Sequence, residues 1–188
     1  MNKTGKKRQP RRVSARSLEV AALAHLQRYS TSAANLRAVL MRRVWRAAQA
    51  NGDDPAEGAV MVDALIERYL RSGLLNDADY AAARATTLHR RGASSRGIRL
   101  RLAEKGVDGD QIDQVLENLE DETGGADIRG AFNFAKRRRL GPWRRSDRES
   151  HRDRDMAALG RQGYSFEIVR RIVDADSVAG LESDIEAD

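Results

Sequence analysis

The side chains with most chemistry to offer are cations set in two runs. The first is Arg90, Arg91, Arg96, Arg99, Arg101 and Lys105, and between Arg84 and Lys105 the only acid is Glu104. The second is Lys136, Arg137, Arg138 and Arg139, followed by Leu140-Gly141-Pro142-Trp143-Arg144-Arg145. Guanidinium and ammonium groups neutralise phosphates and release their counterions. The Trp143 indole can stack on a base, dock on a partner, or tuck under its own loop. The chemistry on offer is therefore polyanion binding, and the net charge of +6 agrees with it. The competing reading is a solvated surface in an arginine-biased protein.

Other chemistries find little support. There is no cysteine, hence no disulfide, thiolate nucleophile or cysteine-ligated metal. Three scattered histidines and no carboxylates clustered with a base leave little to build a catalytic or metal site from. His25 falls on an apolar stripe and reads as a core-edge residue. Asp77 and Asp79 sit where acids favour a helix N-terminus, which accounts for them without catalysis. Gly124-Gly125 is not a phosphate loop, since no strand precedes it and no Gly-Lys-Ser/Thr follows. No catalytic residue, metal or cofactor is expected.

The elements that position the arginines are helices. Aromatic and β-branched residues are sparse, while Ala, Leu, Arg and Glu dominate. Ser94 to Val107 reads as a short helix with Ser94 as N-cap and Gly106 as terminator. At 100° per residue Ile98 and Leu102 point inward together, and Arg96 and Arg99 lie on the solvent side. This element has echoes. Ser32, Leu36, Leu40 and Val44 keep the same spacing 62 residues earlier, and Leu159-x3-Gly163-Tyr164 repeats Leu102-x3-Gly106-Val107 57 residues later. A unit used three times points to a helical repeat.

Along the chain, residues 1–13 are a basic arm, disordered by composition. Helices follow over Ser14–Tyr29, with Leu18, Ala22, His25 and Tyr29 in one stripe, then to about Ala50, and over 56–72. Asn76 caps a fourth helix ending near Arg91. The Ser94 helix and one over 108–121 complete a second group. A seventh helix over 126–139 buries Ile128, Ala131, Phe132 and Ala135. A charged helix carries a thin stripe of Met156 and Leu159, and a last one holds Phe166, Ile168, Val169, Ile172 and Val173. The stretch from Asp174 to Asp188 has six acids and no base and reads as an acidic tail. Nine helices thus fall in three groups, over 14–75, 76–122 and 123–175, with the tail at 176–188. No apolar run approaches the roughly 20 residues of a membrane helix. No signal-peptide pattern is present, so the expected compartment is the cytoplasm.

Three segments carry a family resemblance: Leu70-Arg71-Ser72-Gly73-Leu74-Leu75-Asn76-Asp77-Ala78-Asp79-Tyr80-Ala81, Arg91-Gly92-Ala93-Ser94-Ser95-Arg96-Gly97-Ile98, and Leu102-Ala103-Glu104-Lys105-Gly106-Val107. Together they resemble the RecX family of recombination regulators, with Leu159, Arg161, Gly163 and Tyr164 fitting its C-terminal pattern and Arg161 displaced by one place. The resemblance implies an all-α fold of tandem three-helix repeats in an extended, curved array. It implies binding to the RecA recombinase filament on single-stranded DNA, with modulation, usually inhibition, of extension, ATP hydrolysis and strand exchange; the chain itself is expected to be a monomer. It implies neither catalysis nor a cofactor. The family supplies no catalytic motif to carry over, so the expected partner or DNA contacts remain the basic residues named above, from Arg90 to Lys105 and from Lys136 to Arg145, together with Trp143. The alternative is a stand-alone helix-turn-helix DNA-binding protein built on Ser94–Lys105 and the helix after it. Against it, no single helix carries a base-reading set of Asn, Gln and Arg.

Overall fold

A computed structural model describes residues 11–187 of the chain, and within them all regular structure is helical. Ten α-helices and one 3-10 turn, Gly141–Trp143, follow one another: α1 Ala15–Leu26, α2 Ala33–Asn51, α3 Pro55–Arg71, α4 Asp77–Arg90, α5 Ser95–Ala103, α6 Gly109–Thr123, α7 Ala126–Arg138, α8 Arg148–Gly160, α9 Phe166–Asp174 and α10 Val178–Ala187. The chain divides into two compact units between Tyr80 and Ala81.

In the first unit α1, α2 and α3 close around Leu18, Leu36, Leu40, Val44, Val62 and Tyr69, all buried. Each of these helices begins on a side-chain cap, Ser14, Ser32 and Asp54 respectively, which satisfies a backbone N–H that the helix itself cannot. The α1 stripe stops one turn earlier than its spacing predicts. The helix ends at Leu26, so Tyr29 lies beyond it and is 58% exposed, while His25 stays half-buried with its ring 5.0 Å from that of Tyr29.

In the second unit α5 and α6 pack together with Ile98, Leu102, Ile112, Val115 and Leu119 buried. A further core joins α7, α8, α9 and α10 around Ile128, Ala131, Phe134, Leu159, Ile172 and Leu181. Three expectations change here. Phe134, rather than Phe132, is the buried aromatic of α7; Phe132 is half-buried and meets Trp143 edge-on at 5.0 Å. The acidic stretch forms α10, because Leu181 and Ile185, one turn apart, both bury against the core while the acids between them face outward. Phe166, expected inward, is 70% exposed at the start of α9. Of the basic arm, residues 1–10 lie outside the described residues; Arg12 pairs with Asp53 at 2.9 Å.

One joint recurs. The first backbone N–H of α2, at Ala33, donates to Asp77 Oδ1 at 2.8 Å, and that of α5, at Ser95, donates to Asp127 Oδ1 at 2.7 Å. In each case the acid stands in the first turn of a later helix, α4 or α7. These carboxylates therefore serve two helix ends at once, stabilised by both positive dipole termini.

Candidate functional site

The arginines of α5 are held out to solvent by what the helix buries. Ser94 accepts a hydrogen bond from Gly97 N–H at 3.0 Å and fixes the first turn. Gly97, Ile98 and Leu102 face the core, and Arg96, Arg99, Arg101 and Leu100 face outward. Arg99 pairs with Asp113 of α6, and Arg101 Nη1 donates to the carbonyl of Gly97 at 3.0 Å. Arg96 and Arg101 also line a shallow groove with Arg161, floored by Gly97, Gly160 and Gly163, with Glu104 on its lip. Three arginines thus line one groove. Arg161 was not among the expected contacts, although it had already surfaced in the family pattern.

A second cluster gathers at the ends of α4 and α7. Arg137 Nη1 donates to the carbonyl of Arg91, which brings exposed Arg90, Arg91 and the Lys136–Arg139 run into one neighbourhood. Lys136 Nζ lies 5.6 Å over the Phe132 ring and the Arg138 guanidinium 5.9 Å over Phe134, so the cations rest on aromatic faces and keep their heads in water. Lys105 is half-buried and already engaged. Arg145 is exposed.

Arg144 does not belong to this surface. Its Nε and Nη2 form a fork onto Asp155, at 2.7 Å to Oδ2 and 2.6 Å to Oδ1, and Gly141 N–H donates to Oδ2 at 2.9 Å. The Asp155 side chain is 1% exposed. Burial pushes its carboxyl up, but the hydrogen bonds from Arg144 and Gly141 outweigh burial and hold it below the usual carboxylate range. Arg144 is the counter-ion of a buried acid and ties the 3-10 turn to α8. Trp143, in the same turn, is half-buried against the core, so its ring serves the fold first.

The exposed guanidinium and ammonium groups are chemically suited to anions. The three histidines are dispersed. His89 is buried, with Nε2–H donating to the carbonyl of Ala126 at 2.7 Å; His151 Nδ1–H donates to the carbonyl of Asp147 at 2.9 Å. Among the described residues no three His, Cys, Asp or Glu side chains are grouped to hold a metal ion, and no helix is long and apolar enough to cross a membrane.

Comparison with known proteins gives the family. A family model described as RecX, second three-helix domain, matches residues 76–116, the stretch holding α4, α5 and most of α6. A regulatory protein RecX of Myxococcus xanthus is 39% identical over 171 residues, covering 90% of each chain. A regulatory protein RecX of Agrobacterium fabrum is 28% identical over 153 residues, 81% of this chain and 79% of its own length. No solved structure matches. An all-helical chain with a RecX domain on α4–α6 and such a relative along nine tenths of its length belongs to the RecX family.

Proposed function

We propose that this protein binds the RecA recombinase filament on single-stranded DNA and inhibits its ATPase, its extension and strand exchange. Membership of the RecX family carries the reading. The surface supports it: the arginine groove of α5 and the Arg91–Arg137 cluster are outward-facing anion sites on a scaffold of small helical cores. Such a surface suits contact along a polymer better than enclosure of a small substrate. In this reading the chain is a non-enzymatic regulator without cofactor, working as a monomer in the cytoplasm. Its three-helix repeats cover 14–75, 76–122 and 123–175. Contacts that bridge neighbouring recombinase protomers resist their rearrangement and, at a filament end, block the next addition.

The test is a recombinase ATPase assay on single-stranded DNA with this protein titrated in, paired with co-sedimentation. A falling rate and joint sedimentation are expected. A protein that neither sediments with filaments nor alters their rate overturns the reading.

A further inference from the structure

The outward face of α2 carries a third group of exposed cations. This helix of 19 residues contains four arginines and no acid. Arg37 is taken by Asp63, with Nε 2.6 Å from Oδ1 and Nη2 3.1 Å from Oδ2. Arg42, Arg43 and Arg46 are exposed, and none makes an ion pair among the described residues. Arg46 Nε reaches back to the carbonyl of Arg42 at 3.1 Å, which lays its guanidinium along the helix beside Arg42. Trp45, 55% exposed, stands beside them, about 60° round the helix from Arg42 and about 100° from Arg46.

The spacing makes this a strip. At about 100° per residue, Arg42, Trp45, Arg46 and Gln49 fall within one sector of about 100°, opposite the buried Leu36, Leu40, Val44 and Ala47. An indole held in solvent by a helix whose other face is fully packed has not been left out for want of a core. Met41, one turn before Trp45, packs against the core, and Ala38 and Gln49 beside the ring are small or polar, which gives a protein anchor little apolar surface to seat in. A flat ring beside two guanidinium groups one turn apart is instead the pairing that single strands use: bases stack on the ring, phosphates meet the cations along its edge, and no acid on the helix repels them.

We infer that the α2 face binds single-stranded nucleic acid, with Trp45 as the base-stacking platform and Arg42 and Arg46 as phosphate contacts. The inference does not depend on the recombinase, and its test contains none.

An oligothymidylate of about 30 nucleotides is titrated into the full chain while tryptophan emission is followed. The emission falls on binding. Trp45→Ala abolishes most of the quench and weakens binding about tenfold, within the range set by one stacked base. Arg42→Ala with Arg46→Ala keeps Trp45 and lowers the slope of log affinity against log salt by about 1.4, two phosphates on a single strand. Thermal melting confirms that each variant is folded. Should Trp45→Ala not fold, Trp45→Phe and the arginine pair decide: the first retains most affinity without the quench, the second loses affinity with the slope. Wild-type affinity and quench in all folded variants overturn the inference. So does equal quenching by a duplex of the same length, which removes the stacking contact, or tighter binding of polyglutamate at matched salt, which identifies an acidic protein surface as the occupant.

Discussion

The Ser94 hydroxyl donates to the carbonyl of Gln162 at 2.6 Å while accepting from Gly97 N–H at 3.0 Å. One side chain, fully shielded from solvent, thus caps α5 and satisfies the turn that follows α8, 68 residues away. The same contact holds Gly163, at φ 95°, against α5: a Cβ there would stand 2.9 Å from Ser94 Oγ.

Ser94→Ala removes both bonds and leaves a partly buried carbonyl and a buried N–H without that partner. The expected loss is about 2–3 kcal/mol, more than the ~1 kcal/mol of an ordinary N-cap. Urea unfolding measures it, and a loss under about 1 kcal/mol means that the Gln162 contact contributes nothing.

Asp155→Ala strands Arg144 and the Gly141 N–H together. Breaking a buried pair costs roughly 3–5 kcal/mol; about 3 is expected here because Arg144 keeps 22% of its side chain in solvent. The pH dependence has a definite sign. A carboxyl held below its ordinary value contributes stability that is complete above that value, about 3.9, and is lost as pH falls through the lower folded value. Acid titration of the wild type and of Asp155→Asn should therefore diverge above pH 4 and converge below it. Parallel curves would show that the pair is not formed in solution.

These two residues also show what a sequence withholds. Ser94, Ile98, Leu102 and Gly106 are legible because helix periodicity and capping act within one turn or two. The bond to Gln162 is not, since nothing local marks a partner 68 positions away. Asp155 sits in a helix so charged that it reads as one more solvated acid, and Arg144 as one more phosphate contact. Only the fold reveals that the two neutralise each other. Phe132 lies nearer the apolar stripe of α7 than Phe134 does, yet Phe134 is the one buried, because the end of α4 closes on its backbone. Trp45 was visible as a helical residue, but its exposure follows from which face of α2 the other two helices cover.

Tyr164→Phe should leave stability unchanged or raise it by up to about 1 kcal/mol. The Tyr164 hydroxyl is buried with no hydrogen-bond partner, so its removal deletes a desolvated polar group and no bond. Burial also pushes the phenol above its ordinary range. The wild type therefore loses stability as pH rises past about 10, while the Phe variant lacks that slope. Thermal melts at pH 7 and pH 11 separate the two effects, and a destabilised Phe variant at pH 7 would reveal a partner for the hydroxyl.

Replacing Arg96, Arg99 and Arg101 together with Ala should preserve helicity and weaken binding to the recombinase filament or to DNA. The Arg99–Asp113 pair is solvent-exposed and contributes at most about 1 kcal/mol, so any stability change is small. Adding Arg161→Ala, across the groove, should deepen the loss. Unaltered affinity in the triple variant, read by co-sedimentation over a salt series, would move the contact to the cluster at Arg137 and Arg91.

Gly92→Ala should be the most damaging single methyl in the second unit. Gly92 ends α4 at φ +78°, a left-handed conformation that costs a non-glycine residue roughly 1 kcal/mol. The larger effect is steric. A Cβ there would stand 2.6 Å from the backbone N and the Cβ of Phe134 and 2.7 Å from its Cα. Backbone in the middle of a packed helix cannot swing aside as a side-chain tip can, so α4 and α7 must separate. That movement would also part Arg91 from Arg137. A loss above about 3 kcal/mol is expected, together with weaker filament binding in whatever fraction remains folded. Gly73, at φ +73° with open space around it, is the control: its Ala variant carries the conformational cost alone. Equal destabilisation of the two variants would mean that backbone conformation, and not the approach of α4 to Phe134, is why glycine stands at position 92.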